Sequence, residues 1–226
     1  MRRPLDQFEL MHIALAIFQA AAATYVAKVG PDGLLPMHFD LAGEVDRWGS
    51  RFQIVWMLAA FAPLTLLIGA ALESRQAKIK DAGGQRTLFG SRLITVVVLT
   101  ACTALMLAMG LGLMQPGPGQ RAALTLVLGG LWVIFIILGA IMGKAAPNPW
   151  MGVRTRWTRH SRLAWDKANR LMGRILFLGG IAGLLTVPVL DRAANISLFF
   201  LVVLGSGVWA VVESWRVWRT DPERTA

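Results

Sequence analysis

Between residues 36 and 48 the chain gathers side chains able to do chemistry. His38, Asp40, Glu44 and Asp46 place one imidazole and three carboxylates close together, beside Arg47 and Arg51. Imidazole and carboxylate are standard metal ligands and standard proton carriers. Pro36 fixes its own φ and biases Leu35 away from helix, so Leu34 to Phe39 reads as extended chain. Alternation there puts His38 and Asp40 on one face, as the weak metal or acid/base candidates. A lone histidine with no HExxH-type helix argues against a metal, and no cofactor is expected. Asp40-Leu-Ala-Gly43 is a turn signal. The stretch from Gly30 to Arg51 carries four acids against two arginines, a charge of −2. Two readings without catalysis follow. One is a surface loop held by Asp–Arg pairs, with Trp48 anchored at a membrane interface. The other is recognition of a cationic or amphipathic ligand by Pro36, His38, Phe39, Asp40, Glu44, Asp46 and Trp48.

A second concentration of unusual residues runs from Lys144 to Arg170. Pro147-Asn-Pro149 ends an apolar run, and Trp150 and Trp157 suit an interface. Thr158 is the expected N-cap of a following helix. From Arg159 the pattern is amphipathic. Ala164, Trp165, Ala168, Leu171 and Met172 share one face, and Arg159, Arg162, Asp166, Asn169 and Arg170 the other. Arg162–Asp166 and Asp166–Arg170 are i,i+4 pairs. The segment therefore predicts a helix on the inner leaflet that runs into the next span. Its basic residues suit anionic lipid, or docking of a cytoplasmic protein at Arg154-Thr-Arg-Trp157. No nucleic-acid recognition fold fits in so short a loop, so no direct nucleic-acid contact is expected.

Both segments must be held by the rest of the 226 residues, of which 55% are hydrophobic and only 16% charged. A soluble globule has about 25% charged residues, so a water-facing enzyme is excluded. The single cysteine, Cys102, forms no internal disulfide. A membrane span needs about 20 apolar residues. Six stretches qualify: Leu10–Val29, Phe52–Leu72, Leu93–Met114, Ala122–Gly143, Leu171–Leu190 and Ile196–Trp215. The first has no convincing cleavage site after it and is expected to remain as a span. With the N-terminus inside, 17 of the 23 Lys and Arg residues fall in cytoplasmic segments, and only Arg47, Arg51, Arg121 and Arg192 fall outside. The expected fold is an all-α membrane protein of six transmembrane helices with both termini cytoplasmic. An outer loop follows the first helix, and an amphipathic inner-leaflet helix precedes the fifth. The expected division is a two-helix unit over residues 1–92 and a four-helix unit over 93–226. The basic excess (net +10) is then a topology signal.

Ionisable and polar residues inside spans are functional suspects by default. Glu9, His12, Lys28, Glu73, Arg174 and Glu213 lie near span ends, where snorkelling is inexpensive. Gln19 lies near mid-membrane, where a helix-to-helix hydrogen bond explains it. Gly139-xxx-Gly143 and Gly179-xxx-Gly183 suit close helix packing, and Pro63 and Pro188 suit kinks.

Asn148-Pro-Trp-Met-Gly-Val-Arg-Thr-Arg-Trp-Thr158, followed by Trp165-Asp-Lys-Ala-Asn-Arg-Leu-Met-Gly173, closely resembles the signature of the SdpI family. These are bacterial multi-pass membrane proteins named for an immunity protein against a secreted toxic peptide. Leu35-Pro-Met-His-Phe-Asp-Leu-Ala-Gly-Glu-Val-Asp-Arg-Trp-Gly49 resembles the uncharacterised domain that often precedes that signature. The resemblance implies a site made of Asn148, Gly152, Arg154, Thr155, Trp157, Thr158, Trp165, Asn169, Arg170 and Gly173. It also implies protection from a toxic peptide met outside the cytoplasmic membrane, and sequestration of a small winged-helix repressor at the inner face. This chain has Arg156 where the family usually carries proline. It has Arg159-His160 where a Leu-Ser type helix start is common. Both departures add charge. Two other readings stay open: an enzyme at the membrane boundary using His38 and Asp40, and a small transporter or lipid-handling protein.

Overall fold

An aspartate followed three residues later by a glutamate opens the first helix. Asp6 accepts from the amides of Phe8 and Glu9, and the Glu9 carboxylate accepts from the Asp6 amide, satisfying the helix start reciprocally. The computed structural model describes residues 5–40, 43–76, 82–148 and 151–225. Arg2, Arg3, Leu41, Ala42, Lys78, Lys80, Pro149 and Trp150 lie outside them. In chain order come α1 (Gln7–Val29), β1 (Leu35–Phe39), β2 (Val45–Gly49), α2 (Arg51–Gln76), α3 (Ala82–Gly110), α4 (Pro118–Met142), α5 (Arg156–His160), α6 (Arg162–Thr186) and α7 (Arg192–Thr220). Six of the helices, all but α5, are long and apolar enough to cross a membrane.

Helical hydrogen bonding does not stop where apolar side chains stop, so several helices outlast their apolar runs. Helix α3 starts at Ala82, which makes Arg86 and Arg92 helical rather than loop residues, and Arg92 is buried. Helix α6 ends at Thr186, so Pro188 follows the helix instead of kinking it, while Pro63 lies inside α2. The expected inner-leaflet helix is also redrawn. A five-residue α5 breaks at Ser161, and residues 162–170 are the first turns of α6 itself.

The chain forms two compact units, with α3 and α4 contributing to both. The first comprises α1, the hairpin, α2, α3 from Thr95 and α4 up to Val127. Its core is Ala22, Ala23 and Val26 of α1, Leu35 of β1, and Ile54 and Leu58 of α2. Deeper along α1, Gln19 is fully buried and joins three helices. It donates to Thr103 of α3 and accepts from Thr65 of α2, both at 2.9 Å. The expected interhelical bond is therefore present twice over. His12 does not snorkel. It is buried against Gly69 of α2, and its Nδ1 donates to the Phe8 carbonyl at 2.7 Å.

The second unit holds the start of α3, α4 from Leu128, and α5 to α7. Helices α4 and α6 meet through bare backbone. A Cβ on Gly139 would fall 2.4 Å from the Phe177 amide nitrogen and 2.6 Å from the Gly173 carbonyl oxygen. On α6 the glycines facing α4 are Gly173, Gly180 and Gly183, whereas Gly179 faces Val202 of α7. Trp132 of α4 is wholly buried, and its indole N–H donates to Asn195 of α7 at 2.8 Å.

Candidate functional site

The hairpin carries the first group of candidates. Strands β1 and β2 pair antiparallel, Leu35 opposite Gly49 and Phe39 opposite Val45, with irregular register around His38. Its tip is closed by Asp40, whose carboxylate accepts the Glu44 amide at 2.8 Å while Gly43 takes a positive φ of 83°. Leu35 and Pro36 are buried at the base, and His38, Asp40, Glu44, Asp46, Arg47 and Trp48 are exposed. Phe39 is half-buried. The hairpin is thus rooted in the helices and bare at its tip.

His38 finds its partner across the hairpin rather than along the strand. Its Nδ1–H donates to Asp46 at 2.6 Å, whereas the Asp40 carboxylate serves the turn. Among the described residues, no three His, Cys, Asp or Glu side chains come together as a metal-holding group. The expected Asp–Arg pairing occurs at the base, where Arg51 contacts Asp32 at 2.6 Å and also donates to the Gly30 carbonyl. Two supports could not be read from sequence. Gln115 donates to the Leu34 carbonyl at 3.0 Å, and buried Gln120 to the Gly43 carbonyl at 2.9 Å. Gln115 lies in the link between α3 and α4 and Gln120 in the first turn of α4, a stretch whose proline-glycine composition signals only a turn.

The second group, from Ala145 to Ser161, is built around one buried side chain. Asn169 of α6 is 1% exposed, not on the polar face expected of it. Its Oδ1 accepts the Val153 amide at 2.7 Å, and its Nδ2 donates to the Trp165 carbonyl at 2.9 Å. Gly152 passes directly over it at φ +125°. A Cβ there would meet Asn169 Oδ1 at 2.7 Å and the Trp165 ring at 3.0 Å. Trp165 in turn donates its indole N–H to the Ala145 carbonyl at 2.9 Å. Asn148 accepts the Met151 amide and donates to the Ala146 and Met151 carbonyls, tying both flanks of its turn. Each polar residue here satisfies loop backbone that would otherwise be stranded against apolar helices.

Thr155, not Thr158, is the N-cap of α5. The two threonines form a reciprocal cap, each hydroxyl accepting the other's amide, and the Thr158 hydroxyl donates to Val153 O at 2.8 Å. Ser161 caps α6 and donates to buried Asp221 at the end of α7. Thr155 meets Ser214 of α7 at 3.0 Å, and the Thr225 amide donates to the His160 carbonyl at 2.9 Å. The end of α7 thus closes the site, and no sequence pattern marks Ser214 or Asp221 for that role. Facing outward from this framework are Arg154, Arg156, Arg159 and Arg162, with Trp157 half-buried among them. Asp166 pairs with Arg162 at 3.6 Å. Arg170, expected to share Asp166, is directed with Lys144 and Arg174 into a groove beside Gly173. The arrangement has the form of a rigid basic platform. Threonine, serine and asparagine side chains satisfy the backbone beneath, and the arginines stand exposed on top of it.

Comparison with known families finds two matched segments. Residues 144–213 match the SdpI/YfhL protein family, and residues 31–62 match a domain of unknown function, DUF1648. No curated protein and no solved structure matches the chain.

Proposed function

On the match of residues 144–213 to the SdpI/YfhL protein family, we propose that the chain is a non-enzymatic immunity and signalling receptor of the bacterial cytoplasmic membrane. The hairpin engages a toxic, cationic or amphipathic peptide arriving from outside, and the basic platform docks a cytoplasmic regulator. Three spans separate the two sites along the chain, so an inward N-terminus puts the hairpin outside and the platform inside.

The observation that supports this reading is the division of labour within each site. At the hairpin the polar groups that fix the fold are Asp40, Gln115, Gln120 and Arg51. Glu44 stays exposed at the tip, Asp46 is exposed beside it with His38 as its neighbour, and Trp48 is exposed nearer the base, opposite Pro36. Two acids and an indole suit a basic, amphipathic segment through charge and cation–π contact. At the platform the exposed residues are arginines, whose planar guanidinium groups match carboxylates on a protein partner. Deleting the gene and challenging cells with a panel of cationic membrane-active peptides tests the reading. We expect sensitivity to at least one peptide to rise several-fold. Wild-type protein restores resistance, and an Asp46→Asn/Trp48→Ala variant at equal abundance does not. Unchanged sensitivity across the panel overturns it.

A further inference from the structure

At the crossing of α4 and α6, the missing side chains of Gly139, Gly143 and Gly173 let the two backbones touch. The flanking side chains splay around the contact and leave an open groove of about 440 Å³. One end is basic. Lys144 follows the last turn of α4, and Arg170 and Arg174 stand one turn apart on α6, all three exposed and lining the groove. Among the described residues no carboxylate pairs with any of them, since the nearby Asp166 is engaged by Arg162. The other end is apolar, lined by Ala140, Phe177 and Leu178. From Arg174 to Leu178 is about one helical turn, roughly 6 Å at 1.5 Å per residue. The groove therefore passes from cations to hydrocarbon within the length of a few methylene groups.

We propose that this groove is a binding site for one anionic phospholipid. The phosphate accepts hydrogen bonds from Lys144, Arg170 and Arg174, and the start of an acyl chain lies over Ala140 and Gly143 against Phe177 and Leu178. Charge complementarity and the apolar half both select this occupant. Three uncompensated cations repel one another, and Arg174 lies about three turns inside α6, where an unpaired charge is expensive. A phosphate diester relieves both through charge-assisted hydrogen bonds. A soluble anion would leave the apolar half of the groove unfilled, and a zwitterionic lipid would bring its own cation against the three already there. The glycines serve the site as well as the fold, because a side chain at Gly143 would fill the groove.

Native mass spectrometry of the full chain, released from phosphatidylcholine nanodiscs containing phosphatidylglycerol, reads the site directly. We expect one phosphatidylglycerol retained at least tenfold more strongly than phosphatidylcholine. A Lys144→Gln/Arg170→Gln/Arg174→Gln variant loses that preference. Arg154→Gln/Arg156→Gln/Arg159→Gln, which removes equal charge elsewhere, keeps it. Ala140→Phe, which fills the apolar half with no change of charge, reduces retention several-fold and guards against misfolding of the triple variant. Equal retention of the two lipids overturns the proposal. So does equal loss in the two triple variants, or displacement of the lipid by millimolar glycerol phosphate.

Discussion

Asn169 is the residue on which the platform turns. Its carboxamide is the right length and has one acceptor and one donor group, which meet the Val153 amide and the Trp165 carbonyl at once. Removing one partner of a buried hydrogen bond leaves the other stranded, at about 1–3 kcal/mol. Asn169→Ala should therefore lower the midpoint of thermal unfolding of the purified protein by several degrees, whereas Arg162→Gln, on the exposed face, should leave it nearly unchanged. An Asn169→Ala midpoint equal to wild type would remove the asparagine from the centre of the site. Helical periodicity assigned Asn169 to the polar face because only its chemistry is visible in one dimension. Its burial depends on residues 151–153 crossing over α6, which is tertiary. Thr158 reads as the cap for a related reason. The usual capping box has glutamate or glutamine at its third position, and here threonine does that work, with Thr155 three residues earlier.

Among the elements, the six long helices were legible almost completely, because a 30 Å hydrocarbon layer demands long apolar runs that little else requires. Their ends were not, since helices α3 and α6 obey hydrogen bonding and capping rather than hydropathy. The glycine spacing on α4 identified a contact face, and the structure assigns that face to α6. The same spacing did not separate Gly179, which faces Val202, from Gly180 and Gly183, which face α4. A side chain larger than hydrogen at Gly139 must displace backbone atoms of Phe177 and Gly173, and overpacking of this kind costs about 1–3 kcal/mol or more. Gly139→Leu should reduce the yield and thermal stability of folded protein. Gly205→Leu, on a surface with nothing within 4 Å of a built Cβ, should match wild type. Equal behaviour of the two would mean that α4 and α6 do not rely on backbone contact.

At the scale of the whole molecule, the two long connecting segments were legible in the sequence but not what steadies them. The partners of the hairpin, Gln115 and Gln120, lie 81 and 77 residues away from the backbone they hold. Asp221 lies 60 residues from Ser161. Composition reports how polar a loop is, not which distant side chain will close over it. The charge distribution does carry long-range information, because arginine and lysine stay on the cytoplasmic side during insertion.

That distribution supplies the central claim, that the hairpin faces outward and the platform inward across six spans. Labelling of single cysteines in intact cells with a membrane-impermeant thiol reagent tests it most directly, in a Cys102→Ala background. Trp48→Cys should label in intact cells. Arg156→Cys should label only after permeabilisation. Labelling of Arg156→Cys in intact cells, with Trp48→Cys protected until permeabilisation, would contradict the account and remove the hairpin from any encounter with an external peptide.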